Sequence, residues 1–570
     1  MTKTMTKILA IAAIISAAAT NSSAQNQNNL GADCGCPPVN TRPLVDLSTL
    51  ATGGVLNATN TVLTCNNNYL IKEKIYVPDG KSITINPGTV ILGRDLNAPG
   101  AGVASALVIE RGGQIIAAGT ATCQIVFTAA ADILTAAPDN AADNILGNYT
   151  NASGAPNGGK WGGVAICGKA TNNYKNAADA TALGLPANNN SGLQIATEAS
   201  GVAAIEGISN AEADIRTWFG GTDDNDNSGI MRYCSIRHAG DIIVAGNELN
   251  SLTLASVGRG TTIDHIEIVS GADDGVELFG GTVNLKYISM IFGDDDGLDY
   301  DVNWRGSIQF LFSLNRQGTG ETLTDHGIEA DGDDGSTNVL QRSHPKIYNA
   351  TFIGSNQSIL TGDNTGDGGA IFKERSEGEL YNSIFANYNR GIIIDKVKTS
   401  RAGGPNNESY HNWQTGFSTS GTLLIGCNTF VNCANPLVIE DNAAYTNLVA
   451  APDLAKFSAD GNVSVASLPG FDFAYTMTYA TNVVTDKYDA VPEPLVATTC
   501  SSPVDGFFTP AAFRGAFEAG KKSWLSDWAI LNIINATSGI VPCPTDVNSD
   551  GTTNNADFLQ LLGEFNQSCD

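Results

Sequence analysis

The sequence is poor in positive charge: 31 Lys and Arg stand against 58 Asp and Glu, for a formal net charge of −27 over 570 residues. Nucleic acid is recognised through a basic footprint that displaces counterions, so that class of partner is excluded. Histidine is scarce too. The five residues His238, His265, His326, His344 and His411 show no zinc-ligand spacing. No phosphate-cradling glycine loop or nucleophile elbow is present. Long apolar runs are missing: Ile8 to Ala19 is too short to anchor in a bilayer, and no later stretch is long enough to cross one. That run follows Lys3 and Lys7 and precedes Ser22-Ser23-Ala24, so residues 1–24 read as a secretory signal and Gln25 as the mature start. The expected location is therefore extracellular or the outer cell surface.

Helical periodicity is rare, and what replaces it is glycine (62 residues) and short apolar alternations such as Ser82-Ile83-Thr84-Ile85, Ala106-Leu107-Val108-Ile109 and Gln124-Ile125-Val126-Phe127. Period-two runs punctuated by Gly, Asn and Asp mean strands and turns. An internal repeat selects among the all-β folds. Gly271-Ala272-Asp273-Asp274-Gly275-Val276-Glu277 lies over Gly293-Asp294-Asp295-Asp296-Gly297-Leu298-Asp299 at an offset of 22 residues. The same offset carries Ile266 to Ile288 to Phe310, and Ile268 to Met290 to Phe312. A residue type that recurs turn after turn is the signature of stacked coils. The expected fold is all-β: a single-stranded, right-handed parallel β-helix, or solenoid, with a small C-terminal calcium-loop and helix module.

The expected layout is a signal at 1–24, an N-terminal segment or cap at 25–60, the parallel β-helix at 61–440, a C-terminal cap region at 441–540 and the calcium module at 541–570. Polar insertions at about 132–160, 170–213 and 317–344 interrupt the coils, the last of them holding His326. Aromatic residues between Phe507 and Asn532 are expected to cover the open end of the helix, where strand edges are unpaired. Export permits disulfides among the 11 Cys. Cys427 and Cys433 are close enough to staple a loop, Cys543 and Cys569 bracket the last module, and Cys34, Cys36 and Cys65 sit near the start. An odd count leaves at least one thiol unpaired or bonded to another chain.

Several stretches carry a resemblance: Tyr76-Val77-Pro78-Asp79-Gly80 running into Ile85 to Ile91, Trp161-Gly162-Gly163 with Gly168-Lys169, Phe219 to Gly229, Gly260 to Asp264 through Asp273-Asp274-Gly275, and Phe513 to Phe517. Together they resemble a family of exported β-helix proteins of Gram-negative bacteria, mostly hypothetical or surface proteins. The resemblance implies the β-helix and export, and brings no catalytic residues with it. Such relatives often end in a type IX secretion sorting domain, whereas this chain ends differently.

That end holds a calcium-loop pattern. Counted from Asp546, side-chain oxygens fall at Asp546, Asn548, Asp550, Asn554 and Asp557, with Gly551 at the sharp turn and Thr552 offering its carbonyl. An Asp rather than Glu at the last position resembles dockerin loops, of which a full domain has two and this chain one. The expected cofactor is Ca²⁺.

The repeat also places acids above acids, in strands about 4.8 Å apart. Two charges at that distance repel by roughly 1 kcal/mol in water and about 3 kcal/mol at an effective dielectric of 20. Bound Ca²⁺, raised pKa values or outward-splayed carboxylates would each relieve the strain. The favoured function is a non-catalytic protein that binds polysaccharide or a cell-envelope component, or a structural protein, with calcium-stabilised parts. The alternative is a polysaccharide-degrading hydrolase or lyase. Pectin-cleaving hydrolases pair Asp-Asp with His-Gly, which Asp273, Asp274, Asp295, Asp296 and His326 superficially match. No Arg-x-Lys clamp follows, and Lys286, Arg305 and Arg316 are candidate lyase bases of no distinctive spacing.

Overall fold

The computed structural model describes most of residues 30–530. Outside it lie 1–29, 531–570 and internal stretches, chiefly 95–103, 133–157, 180–199, 206–213, 316–323, 333–341, 356–367, 398–408, 416–422 and 485–495. The expected signal, the calcium loop from Asp546 to Asp557, the Cys543–Cys569 pair and Arg316 all fall outside the described residues.

Two long sheets of parallel strands, one of 17 and one of 13, wind through the chain as stacked coils, giving a parallel β-helix. The repeat behaves as its offset predicts between the first two turns. Thr262–Val269 pairs with Asn284–Ile291, setting Ile266 opposite Ile288 and Ile268 opposite Met290. The third turn slips by one: Ile288 faces Leu311 and Met290 faces Ser313 rather than Phe310 and Phe312. The turn from Val302 to Gly306 holds one residue more than the preceding turn from Gly280 to Val283, and Val302 and Asn303 absorb it at φ 41° and 80°.

Inward-facing residues form continuous columns. Leu254, Leu278, Tyr300, Ala330, Phe372, Ile394 and Ile439 follow one another in register up the smaller sheet. Phe352, Phe385 and Phe430 stack in the larger one with ring centroids 4.8 and 5.3 Å apart. Each fully buried side chain of this size contributes about 1.5–3 kcal/mol. Helix Ala451–Ala459, begun by Asp453 accepting the Ala450 N–H at 2.8 Å, sets Phe457 on Phe430 at 5.3 Å and closes the last coil.

The aromatic segment does not cover that end. Residues 496–530 run back along the flank of the larger sheet, from Asn382, whose amide donates to the Cys500 carbonyl, to Gln124, whose amide donates to the Trp528 carbonyl. The attraction is a corner where each long strand kinks through the left-handed region. Tyr233, His265, Tyr287 and Phe310 hold φ of 48–62° there and turn their rings outward into a ladder with spacings of 4.2, 4.4 and 5.1 Å. Such φ values strain non-glycine residues, and ring stacking offsets the strain. Trp528, Trp524 and Phe513 of the strap lie over the ladder and cover part of it, leaving Tyr233, His265 and Tyr287 half-buried.

Among the described residues, three disulfides join Cys34 to Cys123, Cys36 to Cys65 and Cys427 to Cys500. The pairing of Cys427 with Cys433 is thus corrected: Cys427 ties the start of the strap to the stack, while the Cys433 thiol donates to the Phe385 carbonyl. Three disulfides fit an oxidising, extracellular setting. No helix among the described residues is long and apolar enough to cross a membrane.

Candidate functional site

Acidic loops precede three successive strands of the 13-stranded sheet: Asp273-Asp274 before Val276–Phe279, Asp295-Asp296 before Leu298–Asp301, and Asp325-His326 before Ile328–Asp331. Glycines let them stack closely. A Cβ on Gly275 would meet the Gly297 carbonyl at 2.5 Å, and one on Gly297 would meet the Gly327 carbonyl at 2.9 Å. Within the strands, Glu277, Asp299 and Glu329 are in register. Strand alternation buries Leu298, Tyr300, Ile328 and Ala330 in the core and leaves Asp299, Asp301, Glu329 and Asp331 partly exposed on the outer face.

His326 lies in the stack, not in an irregular insertion. It forms a parallel bridge with Gly368, whose missing side chain leaves room for the ring, and is only 4% exposed. The 317–344 insertion therefore contains a full coil strand that its polar composition disguises.

The groups converge. Asp274 Oδ1 accepts the Asp296 N–H at 3.1 Å. Asp296 Oδ1 accepts the His326 N–H at 2.5 Å and lies 2.9 Å from His326 Nδ1, which is 4.0 Å from Glu329 Oε2. Lys373 forms an ion pair with Glu329 and sits 3.7 Å from Asp331 Oδ2. Three triads each bring their ligand atoms within 4.8 Å of one another: Asp296, His326 and Glu329; Asp273, Asp274 and Asp295; Asp274, Glu277 and Asp299.

So many acids crowded together, some buried and some half-buried, resist ionisation. Burial, then repulsion from Asp299 and Asp273, holds the Asp274 carboxyl well above the usual range. Burial and Glu329 do the same to Asp296, and burial with Glu329 and Asp331 to Asp299. Asp325 is pushed to about 7 by burial and Asp295. Glu329 goes the other way: burial alone would raise it, but the Lys373 ammonium and a hydrogen bond with Asp296 bring it to about 2. Burial lowers His326 to about 3, so its imidazole is neutral near pH 7. Lys373 is held charged by Asp331 and Glu329 against the cost of burial, which makes it a counter-ion and a poor base. Buried acidic clusters of this kind have the ligand chemistry for a hard cation.

The structure thus gathers Asp273, Asp274, Asp295, Asp296 and His326 on neighbouring coils. It does not bring the candidate bases there. Lys286 donates to the Phe507 carbonyl and the Thr509 hydroxyl of the strap, and Arg305 pairs with Asp224. Glu329, Asp331 and Lys373 were missed by sequence reasoning. The alternation Ile328-Glu329-Ala330-Asp331 repeats Leu298-Asp299-Tyr300-Asp301, a signal hidden because its offset is 30 rather than 22 residues.

A solved PL6 alginate lyase in complex with a trisaccharide is similar at 9% identity and a TM-score of 0.24, over 75% of this chain and 96% of that one. No curated protein matches the chain. A family model described as a pectate-lyase-like β-helix domain matches residues 54–140 and 185–447, more than half of the sequence. The chain belongs to the pectate-lyase-like β-helix family.

Proposed function

We propose that this is an exported, non-catalytic polysaccharide-binding protein that takes up Ca²⁺ in the acidic ladder on the 13-stranded sheet. The observation that carries it is the set of neighbouring triads, with ligand atoms within 4.8 Å, beside which the Lys373 ammonium pairs with Glu329. A divalent cation relieves that repulsion and, left with open coordination, recruits sugar carboxylates and hydroxyls to the outer face. Calorimetry of the protein with oligogalacturonate and oligoalginate tests it. Binding is expected with Ca²⁺, and a loss of more than about tenfold in affinity is expected in chelator or in Asp296→Asn. Equal affinity in all three conditions would refute the reading.

The second reading, an enzyme, is favoured by one observation: a neutral His326 and an Asp325 titrating at about 7 lie on the same coil. Release of unsaturated or reducing sugar ends from a polysaccharide panel, abolished by His326→Ala, would establish it in place of the first.

Calcium is also proposed for the C-terminal loop, with Asp546, Asn548, Asp550, Asn554 and Asp557 as side-chain ligands and Thr552 through its carbonyl. A module of about 30 residues is too small for a core alone, so bound metal supplies its folding free energy. Chelator or Asp550→Ala is expected to open residues 543–569 to limited proteolysis while the β-helix stays intact. Unchanged resistance would exclude it.

A further inference from the structure

A second feature of the 13-stranded sheet lies at the opposite, trailing edge of its strands and on earlier coils. Asp79 follows strand Lys74–Val77, Glu110 follows Ala106–Ile109, and Lys169 follows Gly163–Cys167. These strands stack in register, so the three side chains rise from one edge. The segment from Ile215 to Asp223 forms the facing wall and brings Trp218. That wall is pinned. Arg216 lies 4.1 Å over the Tyr76 ring and pairs with Asp214 at 2.7 Å, and Arg111 donates to the Gly220 carbonyl at 3.0 Å. Between them is a cleft of about 570 Å³, within the range of about 300–1,000 Å³ typical of small-ligand sites.

We propose that this cleft binds a neutral hexose disaccharide, or a neutral sugar pair within a longer chain, through Glu110, Arg111, Lys169 and Trp218. Glu110 points to a ligand most directly: its Oε1 is buried and accepts no hydrogen bond. An acceptor without a donor is costly, and because the half-buried Glu110 lines the cleft, a turn of its carboxyl lets a sugar hydroxyl supply that donor. Burial also pushes the Glu110 carboxyl up to about 7, so both its protonated and ionised forms are populated near pH 7 and it serves as donor or acceptor. Lys169, 3.2 Å from Asp79, and Arg111 have further N–H groups for hydroxyl oxygens. Trp218 is partly exposed and offers an apolar surface for the C–H face of a pyranose. The lining holds three acids and two bases, Asp79, Glu110 and Asp223 against Arg111 and Lys169. A polyanion meets no net attraction there, which separates this site from the cation-dependent ladder. The inference goes beyond the ladder reading and does not depend on it.

The test is calorimetry on the full chain in chelator with cellobiose, maltose and mannobiose as probes. At least one probe is expected to bind. Glu110→Gln should weaken it about tenfold, the effect of losing one hydrogen bond, and Trp218→Ala should abolish it. Trp218→Phe should retain most of the affinity, and Asp296→Asn should leave it unchanged. Failure of all three probes, or affinity unaltered in both Glu110→Gln and Trp218→Ala, would overturn the proposal. Should Trp218→Ala fail to fold, Glu110→Gln decides. Ca²⁺-dependent digalacturonate binding that is lost in Asp296→Asn but kept in Glu110→Gln reports on the ladder alone, so the two ideas fail separately.

Discussion

Replacing Trp528 with Ala is expected to destabilise the protein by roughly 3–5 kcal/mol, the usual cost of emptying a large aromatic site in a core. Trp528 is fully buried although it belongs to a segment without regular strands. Its ring packs 5.5 Å from Tyr233 and 6.1 Å from His265, its indole N–H donates to the Trp524 carbonyl at 2.7 Å, and its own carbonyl accepts from Gln124. Two residues on, the Ile530 N–H donates at 2.7 Å to Glu267 Oε1, a fully buried carboxylate whose other oxygen accepts from Ser235. Loosening the strap therefore strips the aromatic ladder and leaves a buried acid short of a donor, a further loss. Urea unfolding measures it, with limited proteolysis reporting whether residues 496–530 detach first. A loss below about 1 kcal/mol would mean that the strap only lies on the flank.

Asp296→Asn is expected to change the sign of its effect with calcium. In chelator at mildly alkaline pH the substitution should stabilise the fold, by about 1–3 kcal/mol, because it removes one of several crowded charges. Asn is isosteric with the protonated acid and keeps an oxygen for the His326 backbone N–H that Asp296 Oδ1 now accepts. The sign follows from the raised carboxyl: an acid whose folded pKa exceeds its unfolded one favours folding while protonated, and that advantage is lost as pH rises. With Ca²⁺ at about 100 times its dissociation constant the wild-type chain should gain about 2.7 kcal/mol, and Asp296→Asn should lose most of that gain. Both are measured as unfolding midpoints in an Asp550→Ala background, which silences the C-terminal loop. Destabilisation in chelator, together with no calcium shift in the wild-type chain, would leave protons alone as the relief of the ladder.

Sequence alone determined the coil and its acids. A period of 22 residues forces like residues onto like in a parallel stack, so Asp273 over Asp295, Asp274 over Asp296 and Glu277 over Asp299 were legible before any coordinates. Gly275 and Gly297 of the repeat were legible for the same reason, and a Cβ at either would meet the carbonyl of the next coil. What breaks the period was not legible. An insertion before His326 stretched the offset and hid Glu329, and Lys373 entered from a later coil still. Cys500 and Trp528 found their partners far away in the chain, Cys427 and Tyr233. Local pattern reports on neighbours in sequence and, through a repeat, on neighbours one coil away. Contacts made by a segment folding back along the stack carry no period. The strap's place on the flank was decided by which outer surface the aromatic corner left apolar, and only the tertiary structure shows that surface.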